Sequence, residues 1–282
     1  MFQRCSLLSS LGLLFALSVV ACADTPENED PSAGVSTGDE PVSEARVPEP
    51  PLPEGPIPIP IPIPKPRSEL EPAVVSPGIN VYYQGADIEE WQEIFERPGR
   101  EVFDRRFEIL KAIGVYPGMA VADVGAGTGY YTMLFARAVG RHGQVYAVDV
   151  AEGFVEDVAR RAAEYHVDNV EAIVNDQKDT RLPEDSVDLV FMCDTYHHFE
   201  YPRSMLASIA RALKEDGELV LIDFRRLQGV SSPWVMSHVR ANQEEVTKEV
   251  EDAGFELAEE LDLLRENYVL RFRKAPPANA GE

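Results

Sequence analysis

The ten residues Val121-Ala122-Asp123-Val124-Gly125-Ala126-Gly127-Thr128-Gly129-Tyr130 constrain this chain more than any other stretch. An apolar run that ends in three alternating glycines and continues into a second apolar segment reads as a buried strand, a tight loop and a helix. Glycine at every second position lets the backbone turn without strain and approach a ligand closely. Val145-Tyr146-Ala147-Val148 then forms a second strand that stops at Asp149, where an acid suits the two hydroxyls of a ribose. Strand, glycine loop, helix, strand and acid together imply a site for a nucleoside.

The rest of the folded region follows the same alternation. Helices are expected over 88–96 and 101–113, separated by Pro98-Gly99, with Val102, Phe103, Phe107, Ile109, Leu110 and Ile113 forming an apolar stripe in the second. Strands at 119–124, 144–148, 170–174, 187–193 and 218–224 alternate with helices at 131–139, 154–165 and 204–213. Asn242 and Glu245 form a capping box for a further helix, and Gly254 follows its end. Two last strands, 255–264 and 268–272, are close enough in sequence to be antiparallel neighbours. The expected fold is α/β: a Rossmann-like, doubly wound, seven-stranded sheet, mostly parallel, with one antiparallel strand from a C-terminal hairpin.

The N-terminus has a different character. Arg4, the apolar run 7–20 and the small Ala21 read as a signal peptide covering 1–21. The run is short for a membrane span, and an uncleaved signal anchor is the alternative. Residues 22–78 are rich in Pro, Glu, Asp, Ser and Gly, a composition that cannot offset its own ordering entropy. The alternating Pro56-Ile57-Pro58-Ile59-Pro60-Ile61-Pro62-Ile63-Pro64 lacks the donors of a strand and suits polyproline II. The folded domain is expected over 79–282, with 79–117 as a helical cap. Cys5, Cys22 and Cys193 are the only cysteines, and cleavage removes the first. No disulfide framework or zinc-like cysteine spacing is present. The net charge of −23 makes nucleic acid an improbable partner.

Two resemblances sharpen this reading. Val19-Val20-Ala21-Cys22 is similar to the lipobox of bacterial lipoproteins, which implies lipidation at Cys22 and membrane attachment through that anchor. It implies a place in the cell envelope, at the outer membrane or periplasmic face. If the lipobox is coincidental, the protein is cytoplasmic. Residues 99–274 resemble the class I S-adenosylmethionine-dependent methyltransferases. The resemblance rests on Gly125, Gly127 and Gly129 preceded by Asp123; on Asp149 after the second strand; on Asn175-Asp176 after the third; on Asp185-Ser186-Val187-Asp188-Leu189-Val190 leading the fourth; and on Cys193-Asp194-Thr195-Tyr196-His197-His198-Phe199 following it. Leu213-Lys214-Glu215-Asp216-Gly217 departs from the family's usual Lys-Pro-Gly-Gly turn.

The resemblance implies S-adenosylmethionine as methyl donor. Asp149 would take the ribose diol and Asp176 the adenine amine, and Asp123 and Asp194 would put negative charge near the amine and sulfonium. It implies methyl transfer to an acceptor, with a small molecule the expected class. Non-catalytic binding of the donor or its demethylated product is the alternative, and a nicotinamide-dependent oxidoreductase is disfavoured by the G-x-G-x-G spacing. His197 is the best candidate for a base, beside Tyr196 and His198. The adjacent histidines lack matching third and fourth ligands, so no metal is expected. Tyr82, Tyr83, Trp91 and Phe95 are candidates to cover the site. Arg100 could meet the donor's carboxylate or lie on the surface, and Cys193 reads as a core thiol.

Overall fold

Strand β1 (Ala120–Val124) shows why the sheet is covered on both faces. Its alternate residues Ala122 and Val124 join one apolar cluster, while Val121 joins another. The same division runs along β4 (Val187–Cys193), where Val190 and Met192 face one way and Leu189 and Phe191 the other. It recurs in β5 (Leu213–Phe224), with Leu219 and Leu221 opposed to Val220 and Ile222. Strands buried on both faces read as continuous apolar runs because successive side chains point to opposite sides. The computed structural model describes residues 71–276 apart from 77 and 86. The signal-peptide reading, Cys22 and most of the 22–78 linker lie outside the described residues.

Seven strands form one sheet in the order β3-β2-β1-β4-β5-β7-β6, with β2 at Gln144–Asp149, β3 at Val170–Val174, β6 at Phe255–Glu260 and β7 at Asn267–Lys274. All pairings are parallel except those of β7, which runs antiparallel to both β5 and β6. The fold is the doubly wound α/β sheet expected from the sequence. Helices α3 (Arg106–Ile113) and α4 (Tyr130–Val139) supply Ile109, Ile113, Tyr131, Phe135 and Val139 to one face. Helices α6 (Pro202–Ala212) and α8 (Gln243–Asp252) supply Met205, Leu206, Ile209, Val246 and Val250 to the other. Helix α5 (Glu152–Glu164) buries Phe154, Val155, Val158 and Ala162. Strand order reverses between β1 and β4, which opens a crevice at the carboxyl ends of these strands.

Several boundaries differ from expectation. The helix expected over 101–113 is interrupted at Arg105, giving α2 (Glu101–Asp104) and α3. Arg105 donates to the Leu263 carbonyl, and Glu101 accepts from the N–H groups of Arg265 and Glu266, so this break is fastened to the β6–β7 hairpin. Edge strand β6 stops at Glu260, and its exposed Glu256, Glu259 and Glu260 discourage further pairing. Contacts with the sheet domain extend to residues before 79: Glu71 accepts from the N–H groups of Arg203 and Ser204 and from the Ser204 hydroxyl, which ties the chain to the first turn of α6. Helix α7 (Pro233–His238) was not expected, although Ser232 caps it and Pro233 opens it. Helix α1 (Ile88–Phe95) is capped by Asp87.

Candidate functional site

The loop after β1 forms the floor of the site. Gly125 and Ala126 donate to the Val148 carbonyl at 2.8 and 3.1 Å, which anchors the loop to β2. Gly125 has φ +76°, and a Cβ there would lie 2.2 Å from Thr195 Cγ2. At Gly129, φ is +71° and a Cβ would lie 2.5 Å from Val158 Cγ2. The fold thus draws the loop against the β4 exit and α5 at distances that exclude a side chain. Asp149 ends β2 and braces the loop from the other side. Its carboxylate accepts from Gly127 N–H and from Ala151 N–H, at 2.8 and 2.9 Å. Burial raises its pKa above the ordinary carboxylate value.

A cavity of about 950 Å³ opens above this loop, at the carboxyl ends of the strands. Asp123, Gly125, Gly127, Asp149, Asp194 and His197 line it, so five of the predicted cofactor positions and His197 share one space around the loop, whereas Gly129 is a correction: it packs against Val158 of α5 and does not line the cavity. Asp123 is buried, and its Oδ2 accepts from the Thr132 hydroxyl at 2.7 Å. Burial, reinforced by the nearby Asp149 charge, pushes its pKa up to about 7.

Asp176 is a correction. It is exposed and does not line the cavity; its Oδ1 accepts from the N–H groups of Lys178 and Asp179 in a local turn. Its neighbours Asn175 and Gln177 line the cavity instead, and Asn175 Oδ1 is buried without a hydrogen-bond partner. A strand end presents adjacent side chains in opposite directions, and the pair Asn175-Asp176 is turned so that the amide faces inward.

Asp194 also departs from its expected role as a free negative charge. It sits at φ +53° and pairs with Arg100 at 2.7 Å, while Asn267 donates to its other oxygen. Arg100 donates as well to the Phe95 carbonyl at 2.8 Å and itself lines the cavity, so it is a site residue and not a surface one. Tyr196 is a second correction. It is fully buried, points away from the cavity and donates to Glu249 at 2.9 Å.

His197 and His198 lie on a 3₁₀ turn after β4. The two oxygens of Asp223, near the end of β5, engage His197 Nδ1 at 2.7 Å and its backbone N–H at 3.1 Å. Burial works against charging this ring, but the Asp223 carboxylate outweighs it and raises the imidazole's pKa. His198 behaves oppositely: burial, with His197 and His238 beside it, pushes its pKa down to about 3. Sequence reading missed His238, carried to the cavity by α7, and Asp223. His238 Nε2 lies 3.3 Å from His198 Nε2, and its ring stacks on Trp234 with centroids 4.7 Å apart. The expectation that the paired histidines lack a third ligand is therefore overturned: one ring nitrogen from each of His197, His198 and His238 lies within 4.8 Å of the others. The capping box at Asn242 and the Ser232-Pro233 signal bracket the segment that brings His238 in.

Aromatic side chains form the wall that adjoins His198 through Tyr83. Tyr83, Trp91 and Phe95 line the cavity, with Tyr83–Trp91 and Trp91–Phe95 centroids 4.8 and 5.0 Å apart, and Phe154 of α5 joins them. Tyr82 is 84% exposed at the rim. The half-buried Cys193 thiol also borders the cavity, and burial raises its pKa well above the ordinary thiol value.

Comparison with known proteins agrees with this geometry. Residues 121–217 match the family model of a methyltransferase domain. That segment holds the glycine loop, all four predicted aspartates and His197, but not Arg100, Asp223 or His238. An uncharacterized methyltransferase, YcgJ of Bacillus subtilis, is 32% identical over 103 residues, covering 36% of this chain and 40% of its own. The ubiquinone/menaquinone biosynthesis C-methyltransferase UbiE of Hydrogenovibrio crunogenus is 30% identical over 119 residues, covering 42% of this chain and 47% of its own. The chain thus spans less than half the length of these curated relatives. The crystal structure of a SAM-dependent methyltransferase from Aquifex aeolicus superposes with a TM-score of 0.59 at 29% identity, covering 66% of this chain and 98% of that one.

Proposed function

We propose that this chain, whose residues 121–217 match a methyltransferase domain, binds S-adenosylmethionine and transfers its methyl group to an acceptor held under the aromatic wall. The observation that carries the proposal is the bracing of the glycine loop by Asp149. A carboxylate that already accepts from Gly127 and Ala151 is fixed beside the loop and has lone pairs left for a ribose diol. The donor also fits the remaining residues. Glycine at 125 lets the loop lie against Thr195 where no Cβ fits, and Asn175 and Gln177 stand where Asp176 was expected to meet the adenine edge. Arg100, though paired with Asp194, has N–H groups left to donate to the donor's carboxylate.

When bound, the donor supplies a methyl carbon on a cationic sulfur that leaves as a neutral thioether as an acceptor lone pair forms the new bond. The protein's part is to hold acceptor and methyl in line, which can supply most of the acceleration. His197, oriented by Asp223 through Nδ1, has Nε2 left to take a proton from an acceptor that must lose one. The mostly apolar and aromatic walls suit a small, apolar acceptor with one polar reacting atom. The name of one curated relative, a ubiquinone/menaquinone biosynthesis C-methyltransferase, is compatible with such an acceptor reacting at carbon. At the N-terminus we propose cleavage before Cys22, lipidation there and a place in the cell envelope.

Calorimetric titration of the full chain should show one site for S-adenosylmethionine or S-adenosylhomocysteine and none for NADH. No heat with either sulfur ligand, with binding of NADH, would sink the proposal. Binding of both sulfur ligands without labelled product on incubation with cell-envelope extract would favour the non-catalytic reading.

Asp123 makes this affinity pH-dependent. Below about pH 7 its carboxyl in the free protein is protonated, and a cationic ligand favours the ionised form. Affinity for S-adenosylmethionine should therefore rise as pH increases through 7, by at most roughly tenfold per pH unit, and level off above it. Asp123→Asn should flatten that part of the profile. An unchanged slope in the variant would remove Asp123 from the ligand's surroundings.

A further inference from the structure

We infer that His197, His198 and His238 form a binding site for one divalent transition-metal ion, of the zinc class, in the wall of the cavity. Nothing in the methyltransferase-domain match calls for it, and His238 lies outside the matched segment.

The geometry points to it in three ways. First, zinc–imidazole bonds of about 2.0–2.1 Å set the nitrogens of a tetrahedral site roughly 3.3–3.4 Å apart. His198 Nε2 and His238 Nε2 are 3.3 Å apart, the edge of such a tetrahedron and long for a hydrogen bond between rings. His197 completes a set in which one ring nitrogen from each of the three residues lies within 4.8 Å of the others. Second, His197 carries the supporting contact typical of a metal ligand. Its Nδ1 is held by Asp223 at 2.7 Å, which fixes the ring and leaves Nε2 to coordinate. Third, the protein offers His198 Nε2 little else: among the described residues its polar neighbours are Tyr83 Oη at 3.4 Å and His238 Nε2 at 3.3 Å.

Three imidazoles leave one position of a tetrahedral ion open, the pattern of catalytic and not structural zinc. The three rings line the cavity, so that position faces the space left for the acceptor, with the Tyr83 hydroxyl beside it to hydrogen-bond an incoming oxygen. On the methyltransferase reading, the ion would bind an acceptor hydroxyl or thiol and lower its pKa, so that the proton leaves to solvent and the resulting anion attacks the methyl group. His197 Nε2 cannot hold the ion and take a proton at once. In the metal-loaded protein it is a ligand, and the ion replaces it in activating the acceptor.

The test is metal binding itself, which needs no methyl donor. The full chain, stripped with a chelator, is titrated with Co²⁺ and then Zn²⁺. One Co²⁺ per chain with the intense visible absorption of tetrahedral coordination, displaced by Zn²⁺, is the expected result. His238→Ala should weaken binding at least 100-fold and lose the tetrahedral spectrum, while still binding S-adenosylhomocysteine. His238→Gln serves as a second variant if the alanine form is unstable. Asp223→Asn should weaken binding about 10- to 100-fold through the lost support of His197. Absence of a tetrahedral Co²⁺ spectrum in the wild-type protein would overturn the inference, as would full stoichiometry and spectrum in a folded His238 variant. Loss of S-adenosylhomocysteine binding in the wild-type protein, with metal binding retained, would instead count against the methyltransferase reading alone.

Discussion

Gly125→Ala should abolish nucleoside binding and lower the thermal midpoint by roughly 4–20 °C. Two independent penalties act at this position. The backbone stands at φ +76°, where an L side chain costs about 1–2 kcal/mol. The added methyl would lie 2.2 Å from Thr195 Cγ2, 2.3 Å from its Oγ1 and 2.8 Å from its Cβ. Contact with Cβ means that no rotamer of Thr195 removes the collision, so the β4 exit must move, and overpacking of this kind costs about 1–3 kcal/mol. Together they amount to about 2–5 kcal/mol, which for a domain of this size gives the stated fall at about 2–4 °C per kcal/mol. Binding suffers further because the displaced segment, Asp194 to His198, forms one wall of the cavity. Gly127→Ala is the internal comparison. Its Cβ would meet only the Phe95 ring, at 3.4 Å, so that variant carries the backbone penalty with little collision. Melting curves and titrations of the two variants check the argument, and a Gly125→Ala protein with wild-type melting and affinity would refute it.

The sheet was legible because its physics is local. Continuous apolar runs such as Leu189-Val190-Phe191-Met192 and Leu219-Val220-Leu221-Ile222 mark strands covered on both faces, and helical periodicity marks what covers them. The glycine loop and Asp149 were legible for the same reason: both lie within one strand–loop–helix–strand unit. What was not legible depends on side-chain direction or on distant partners. Reading Asn175-Asp176 correctly needs the last turn of β3, since adjacent residues point opposite ways. The structure spends Asp176 on a local turn and buries Asn175. Arg100 and Asp194 are 94 residues apart, and His198 and His238 are 40 apart. No periodicity links such pairs. Only the order of β4 beside β5, followed by a capped short helix, brings Asp223 and His238 to the histidines of the β4 exit. The Ser232-Pro233 signal was available for that helix, yet its six residues carry too little pattern to show which cavity the helix borders.

Asp149→Ala should weaken binding of S-adenosylmethionine and S-adenosylhomocysteine by about 2–4 kcal/mol, or roughly 30- to 900-fold. Part of this is direct, because hydrogen bonds from a ligand's hydroxyls to a charged carboxylate contribute about 1.5–3 kcal/mol. The remainder passes through the loop. Asp149 accepts from Gly127 and Ala151, so alanine leaves two N–H groups without their partner and frees the loop that the ligand must find in place. Asp149→Asn separates the contributions: the amide oxygen can keep one of the two N–H bonds, and the charge is lost. Its affinity should fall between wild type and alanine. Asp176→Ala, taken from the outward-facing side of the β3 exit, should change affinity by less than about 0.5 kcal/mol. Titrations of the three variants under one set of conditions decide the matter. Equal losses for Asp149→Ala and Asp176→Ala would return Asp176 to the ligand, whereas an Asp149→Ala protein with undiminished affinity would remove Asp149 and, with it, the observation on which the proposed function stands.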